Sequence, residues 1–486
     1  MGLLGILLGL GLLVWLAFRG WSVLGLAPVA AMIAAGFAGE PLLAHWTQTF
    51  MGSAAGFIAQ FFPLFLLGAL FGKLMADSGS VSAIAQFITE QLGSKRAILA
   101  VVLAGALVTY GGVSLFVAMF VLAPMGQALF KAADIPNRLL PGAVMLGTAT
   151  FTMSALPGSP AIQNAIPMPF FETTPFAAPG LGFIAAFIMF GFGMWWLSRS
   201  EAAARRNGEG FGGPLAAVSS ATQAAGDTVV RERATVSREF DPAELEHGAR
   251  SAQLPSIGVA LLPLIVVMAV NLTMSLLVLP RLDTSFLNEP RWGGTSIASV
   301  GGVWSVLMAL SAAIVVLYAC NRSRLQSLRD TVDAGLNAAA LPIISVASLV
   351  GFGAVVAALP AFAAVREWVL TIEGGPLVGL AIATNVLSAL TGSASGGLTI
   401  ALGALGETYM ELAYTYGIDP ALMHRVAVIG AGSLDSLPHN GAVVTMLAVC
   451  GATHKESYFD IVMVGIVSAI LGLVAVVVLG SIFGSF

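Results

Sequence analysis

The stretch GSLDSLPHNG, Gly432 to Gly441, places an Asp, a His, an Asn, two Ser and a Pro between HRVAVIGA and AVVTMLAVCGA, two apolar runs of the chain. A buried polar group without a partner costs on the order of 2–7 kcal/mol, and an isolated charge costs more. Side chains that costly mark sites of binding or of charge movement. Asp435 is the informative member: it can carry a proton or ligate a cation, with Ser436 beside it and His439 four residues on to tune it. The competing role for Asp435 is a cap on the half-helix that follows. Asn440 and Thr445 add an amide and a hydroxyl beyond the break.

Three more polar islands interrupt apolar segments. ALPGSPA (155–161) carries Ser159 and is followed by Gln163 and Asn164. VTYGGVS contributes Thr109, Tyr110, Gly111, Gly112 and Ser114, and SALTGSASGGLT contributes Thr391, Ser393, Ser395, Gly396, Gly397 and Thr399. Gly pairs break helices and free backbone groups, and the N-terminus of a half-helix attracts an anion. None of the four islands contains Lys or Arg. A small carboxylate bound there must be met by backbone dipoles, by a co-bound cation, or by protonated His439. Arg138 and Arg425, soon after Pro136 and Pro420, are expected to anchor helix ends at the membrane interface.

The elements that must position these groups are membrane helices. The 486-residue chain is 57% hydrophobic and 9% charged, with a mean hydropathy of +0.92. Soluble proteins carry about 25% charged residues, so an ordinary cytosolic protein is excluded. Apolar segments near 3–18, 22–38, 53–72, 97–130, 138–170, 179–197, 256–280, 296–319, 334–360, 376–416, 421–451 and 458–484 approach or exceed the span of hydrocarbon. The N-terminus has no basic run before its apolar stretch and reads as a retained first span. Net charge is only −4, which implies no nucleic-acid partner, and Cys320 and Cys450 imply no disulfide framework.

Lys and Arg in short loops place 73–96, 131–138, 198–255 and 320–333 in the cytoplasm, provided that 97–130 and 376–416 are re-entrant hairpins. The expected fold is therefore an all-α polytopic membrane protein with about ten full spans and both termini outside. Residues 199–253 hold 15 of the 46 charged residues and read as a polar linker, with Asp241 capping a short helix.

GGVSLFVAMFVLAPMGQALFKAADIP (111–136) can be laid on GGLTIALGALGETYMELAYTYGIDP (396–420), and MSALPGSP (153–160) on LDSLPHNG (434–441). The topology gives the two copies opposite orientation. The organisation is then a first inverted repeat, 1–198, with hairpin 97–130 and broken helix 138–170. A linker, 199–255, leads to a second repeat, 256–486, with hairpin 376–416 and broken helix 421–451. Inverted repeats with matched broken helices point to a secondary transporter site.

GKLMADSG (72–79), the TYGG tip, ALPGSPA, TGSASGG and SLDSLPHNG together resemble the gluconate permease family, within the ion transporter superfamily of organic-anion symporters. The resemblance implies proton- or cation-coupled uptake of small hydroxy carboxylates across a bacterial inner membrane. It also implies a homodimer and an elevator-like displacement of the hairpin-bearing part. Gly111 stands where the gluconate branch has Glu, so the chain looks closer to the branch assigned to 3-hydroxybutyrate. Gluconate or citrate is the alternative. No cofactor is expected beyond the coupling ion, H+ or Na+.

Two other classes compete. SASG (393–396) with His439 could form an intramembrane serine hydrolase, and a channel would need no coupling. No metalloprotease H-E-x-x-H or ATP-binding P-loop sequence occurs, and no metal site is expected. Asp77 is expected to cap an interfacial helix over 78–92, and Trp15, Trp21, Trp195 and Trp196 to form interface belts. His45, His247, His424 and His454 are expected at loops or helix ends without a ligand role. Glu407 and Glu411 face either water or a vestibule.

Overall fold

The computed structural model describes residues 2–18, 21–211, 251, 253–364, 367, 374–438 and 440–486. The expected helix capped by Asp241, His247 and His439 lie outside the described residues. Among the described residues the protein is helical, without strands. The first helices are α1 (Gly2–Phe18), α2 (Val23–Ala38), α3 (Leu42–Asp77) and α4 (Ser80–Leu92). The helices α5 (Ala97–Tyr110) and α6 (Leu115–Ala132) pack against each other across a turn at 111–114. After α7 (Leu140–Thr148) the chain breaks into one-turn pieces at Phe151–Ser154, Ile162–Ala165 and Pro167–Phe171 before α8 (Pro179–Arg206).

The later helices are α9 (Ile257–Arg281), α10 (Ile297–Asn321) and α11 (Leu328–Ala358). A second helical hairpin follows, α12 (Gly375–Thr391) against α13 (Ala394–Tyr416). A second interrupted segment, α14 (Pro420–Ser433) and α15 (Gly441–Val449), precedes α16 (His454–Phe483). Seven of the described helices are long and apolar enough to cross a membrane; a bent pair over 80–110, turning through 103°, would make eight. The shorter apolar helices Gly2–Leu13, Leu24–Ala38 and Gly375–Thr391 add to these.

Small residues allow the close crossings that membrane packing needs. A Cβ on Gly147 would lie 2.5 Å from the Val102 carbonyl, and one on Gly397 would lie 2.2 Å from the Ser388 nitrogen. These glycines let α7 lie on α5 and α13 on α12. The two halves also interlock: α8 packs along α16, and α14 sits between α12, α13 and α16.

Candidate functional site

Each hairpin turns on a glycine in the left-handed region, Gly112 (φ 99°) and Gly392 (φ 63°), where a side chain would be strained. The arm that leaves each turn starts with a serine cap. Ser114 accepts from the Phe116 N–H at 3.3 Å to open α6, and Ser393 accepts from the Gly396 N–H at 3.1 Å to open α13. The second turn therefore falls at Gly392–Ser393, four residues before the Gly-Gly pair that the repeat alignment sets on the first tip. Gly396, Gly397 and Thr399 lie within α13, where Thr399 donates back to Ser395 O at 2.6 Å.

Each tip is tied to the break in its own half. The Tyr110 hydroxyl donates to Pro157 O at 2.7 Å, and the Asn440 amide donates to Gly392 O at 2.9 Å. Asn440 also caps α15, accepting from Ala442 and Val443. The breaks approach one another as well: a Cβ on Gly432, at the end of α14, would sit 3.2 Å from Ser154 Cβ.

A cavity of about 180 Å³ opens where these parts meet. The first tip lines it through Thr109, Gly112 and Ser114–Phe116, the first break through Met153 and Pro160–Gln163, and the second hairpin through Ser395. Helix α3 closes one side with Leu64, Phe65, Gly68 and Ala69, and α11 another with Ala338, Ala339, Pro342 and Val346. Among the described residues the wall contains no ionisable side chain. Its polar side chains are Thr109, Ser114, Gln163 and Ser395, and the Gln163 amide, 7% exposed, makes no hydrogen bond among the described residues. The starts of two long helices, α6 and α13, reach this space.

The other expected residues are not in its wall. Ser159 is buried and accepts weakly from the Ala161 N–H. Thr391 and Ser393 shape the second turn, and Thr445 is buried on α15. Asp435 is half-buried, with Oδ1 accepting from the Ser436 hydroxyl at 3.0 Å. Ser436 O in turn accepts from the Tyr458 hydroxyl at 3.2 Å.

Several expectations are corrected. Arg425 is no interfacial anchor: it is fully buried, with Nε and Nη2 donating to Ala177 O and Nη1 to Ser154 O and Asn164 Oδ1. It has no acidic partner among the described residues. His424, near the start of α14, is likewise buried, bonded to Thr173 at 2.6 Å and to Asn164 at 3.1 Å. The reason is that α14 runs through the interior, so its first turn meets protein rather than headgroups. Arg138 pairs with Asp460 and Glu209. Trp196 donates to Asp460 at 2.9 Å. Asp77 caps nothing: α4 starts at Gly79 without a side-chain cap, and Asp77 pairs with Lys73.

Sequence reasoning missed α3 and α11 as walls, because their lining is apolar and carries no chemical signal. It also missed Arg425, whose signal was an Arg and a His side by side within an apolar run. Arg425 stands directly behind the cavity wall, since Ser154 and Asn164 are chain neighbours of Met153 and Gln163.

A family model described as GntP family permease matches residues 1–169. The chain is 40% identical over 98% of both chains to the uncharacterised transporter YxjC of Bacillus subtilis (strain 168). It is 31% identical over 164 residues, 32% of this chain and 35% of the other, to the high-affinity gluconate transporter of Escherichia coli K12. Among solved structures, Neisseria gonorrhoeae MtrF, described within a class of antimetabolite efflux pumps, matches with a TM-score of 0.52. That match covers 91% of this chain and 85% of the other at 15% identity, a likeness of fold. The relatives are transporters and not enzymes, which sets the hydrolase reading aside. The chain belongs to the GntP permease family and is a multi-pass membrane transporter.

Proposed function

We propose that the protein is a secondary transporter that carries a small organic anion with a coupling cation, and that the anion is 3-hydroxybutyrate or a related short hydroxy carboxylate. The observation that carries this reading is the cavity at the hairpin tips. Two helix starts, of α6 and α13, supply N–H dipoles for a carboxylate, and the buried Arg425 adds positive charge behind the wall. Four polar side chains in a largely apolar wall suit a short acid with one hydroxyl. A sugar acid such as gluconate would bring several more hydroxyls, each needing a partner once buried against this wall.

The two halves, 1–198 and 256–486, are proposed as inverted repeats joined by a linker, with two copies associating in the membrane. The bonds from Tyr110 to Pro157 and from Asn440 to Gly392 favour each tip moving together with its break, as an elevator-like displacement requires. Asp435, with Ser436 on its Oδ1 and His439 near in sequence, is the proposed coupling carboxylate of the second break.

The test is uptake of labelled 3-hydroxybutyrate, gluconate and citrate into proteoliposomes under separate inward proton and sodium gradients. Accumulation of 3-hydroxybutyrate above equilibrium, abolished by the matching ionophore, is expected. Preference for gluconate would overturn the substrate assignment, and purely downhill flux under both gradients would overturn coupled transport.

A further inference from the structure

The buried pair Lys73 and Asp77 lies outside the cavity and is used by none of the roles above. Both side chains are almost fully enclosed, at 3% and 0% exposure, in the last turns of α3. Lys73 Nζ meets Asp77 Oδ1 at 3.1 Å, and Asp77 Oδ2 accepts from the Thr331 hydroxyl of α11 at 2.8 Å. Lys73 finds no other acceptor among the described residues, and Asp77 Oδ1 takes no well-aligned hydrogen bond. A buried ion pair offsets its desolvation only with good geometry and its remaining donors and acceptors satisfied. In this pair Oδ1 has no well-aligned hydrogen bond, so its desolvation is only partly offset. A buried ionisable pair of this kind is a candidate for carrying charge.

Its position gives it access to the cavity. Ala69 lines the cavity one turn before Lys73 on the same helix, and on α11 Thr331 precedes Ala338 and Ala339 by two turns. A Cβ on Gly335 would lie 3.0 Å from Leu70 Cα and 3.2 Å from Lys73 Cβ, so α3 and α11 are in direct contact at the pair. A Cβ on Gly72 would lie 3.7 Å from the Ser114 nitrogen, at the start of α6. The ion pair lies within α3, and its Asp77 carboxylate ties α3 to α11 through Thr331, beside the first tip. The other charged groups on the packed elements, Glu90 of α4, Lys131 of α6 and Arg329, Asp330 and Asp333 of α11, are exposed. Besides Lys73 and the Thr331 hydroxyl, the Ser251 N–H reaches Asp77, through its backbone carbonyl.

We propose that Lys73 and Asp77 form a second cation-coupling site, separate from Asp435, in which an entering proton or sodium ion displaces Lys73 from the Asp77 carboxylate. The inference rests on the cation-coupled reading above. A proton turns the carboxylate into a neutral acid that no longer holds Lys73; a sodium ion takes the place of the ammonium among the carboxylate and hydroxyl oxygens. Either event re-seats the Asp77 carboxylate to which Thr331 of α11 is bonded, so binding of the cation changes how α3 and α11 close the cavity. Asp77 then acts on transport through helix position and not through contact with the anion.

The experiment compares the unmodified protein with Asp77→Asn and with the double variant Lys73→Met, Asp77→Asn in proteoliposomes. The anion is whichever of 3-hydroxybutyrate, gluconate and citrate the unmodified protein accumulates. Asn keeps the acceptor for Thr331, and the double variant removes both charges, so that one of the two folds even where a lone buried Lys73 disrupts the other; melting in detergent checks this. Gradient-driven accumulation is expected to fall about tenfold or more in both variants, while exchange of labelled for unlabelled anion persists. The gradient that still drives the unmodified protein identifies the ion. Full accumulation by either folded variant would overturn the proposal while leaving coupled transport standing. Failure of the unmodified protein to accumulate any of the three anions under both gradients would remove the coupled reading and this inference with it.

Discussion

Gln163 is the side chain on which the cavity can be tested most simply. Its amide is buried in the wall and makes no hydrogen bond among the described residues, and a buried polar group left so costs about 1–3 kcal/mol. A hydroxyl of the substrate, donating to Oε1, would satisfy it. Gln163→Leu is therefore expected to leave melting unchanged or slightly raised and to raise the KM for a hydroxy acid by about 5- to 100-fold. An unchanged KM would take Gln163 out of the binding site. Arg425→Met is expected to behave in the opposite way. It leaves the carbonyls of Ser154 and Ala177 and one face of Asn164 buried without a donor, and should lower stability by about 3 kcal/mol or more in detergent unfolding. Much of this chemistry could be read from residue types: Thr109, Ser114, Gln163 and Ser395 were named from polar interruptions alone. Arg425 and Asp77 were misread for a common reason. A charge near a helix start reads as an anchor or a cap, and only packing reveals that the helix end is buried.

Among elements, the interruptions were legible because Leu-Pro and Gly-rich sequences cannot continue a helix, and α5–α6, α12–α13 and the segments after α7 and α14 stop at or near them. The second turn was misplaced because the Gly396–Gly397 pair serves packing and not turning. A Cβ at Gly397 would meet the Ser388 backbone at 2.2–2.3 Å, which neither arm can relieve by rotating a side chain. Gly397→Ala should thus force α12 and α13 apart and lower the melting temperature clearly. Gly403→Ala, on the same helix with no atom within 4 Å, should stabilise by up to about 1 kcal/mol through helix propensity. Equal effects from the two substitutions would contradict the close crossing. At the ends of α7 and α16, Arg138 bridges Glu209 and the nearly buried Asp460. Its hydrogen bond holds the Glu209 carboxyl below its usual range. A depressed carboxyl stabilises above its unfolded pKa of about 4.3 and loses that stabilisation as pH falls through the folded value. With both side chains partly exposed, the loss should stay within about 1 kcal/mol. Arg138→Gln should abolish this part of the acid sensitivity, read as melting temperature against pH.

At the scale of the whole molecule, the function depends on two halves meeting around one small space. Arg425 and His424 of the second half grip the first break, Asn271 donates to Gly158 O at 3.0 Å, and Arg138 of the first half grips α16. The membrane class and the broken helices followed from composition and periodicity. The convergence of α3, α11 and both tips on one cavity did not, because apolar walls leave no mark in the sequence. The most direct measurement is a structure of the protein in lipid with 3-hydroxybutyrate bound at saturation. Ligand density between Ser114, Gln163 and Ser395, with its carboxylate toward the starts of α6 and α13, is the expected result. Density elsewhere, for example in the surface pocket by Glu172, Tyr414 and Asp419, with the tip cavity empty, would contradict the account.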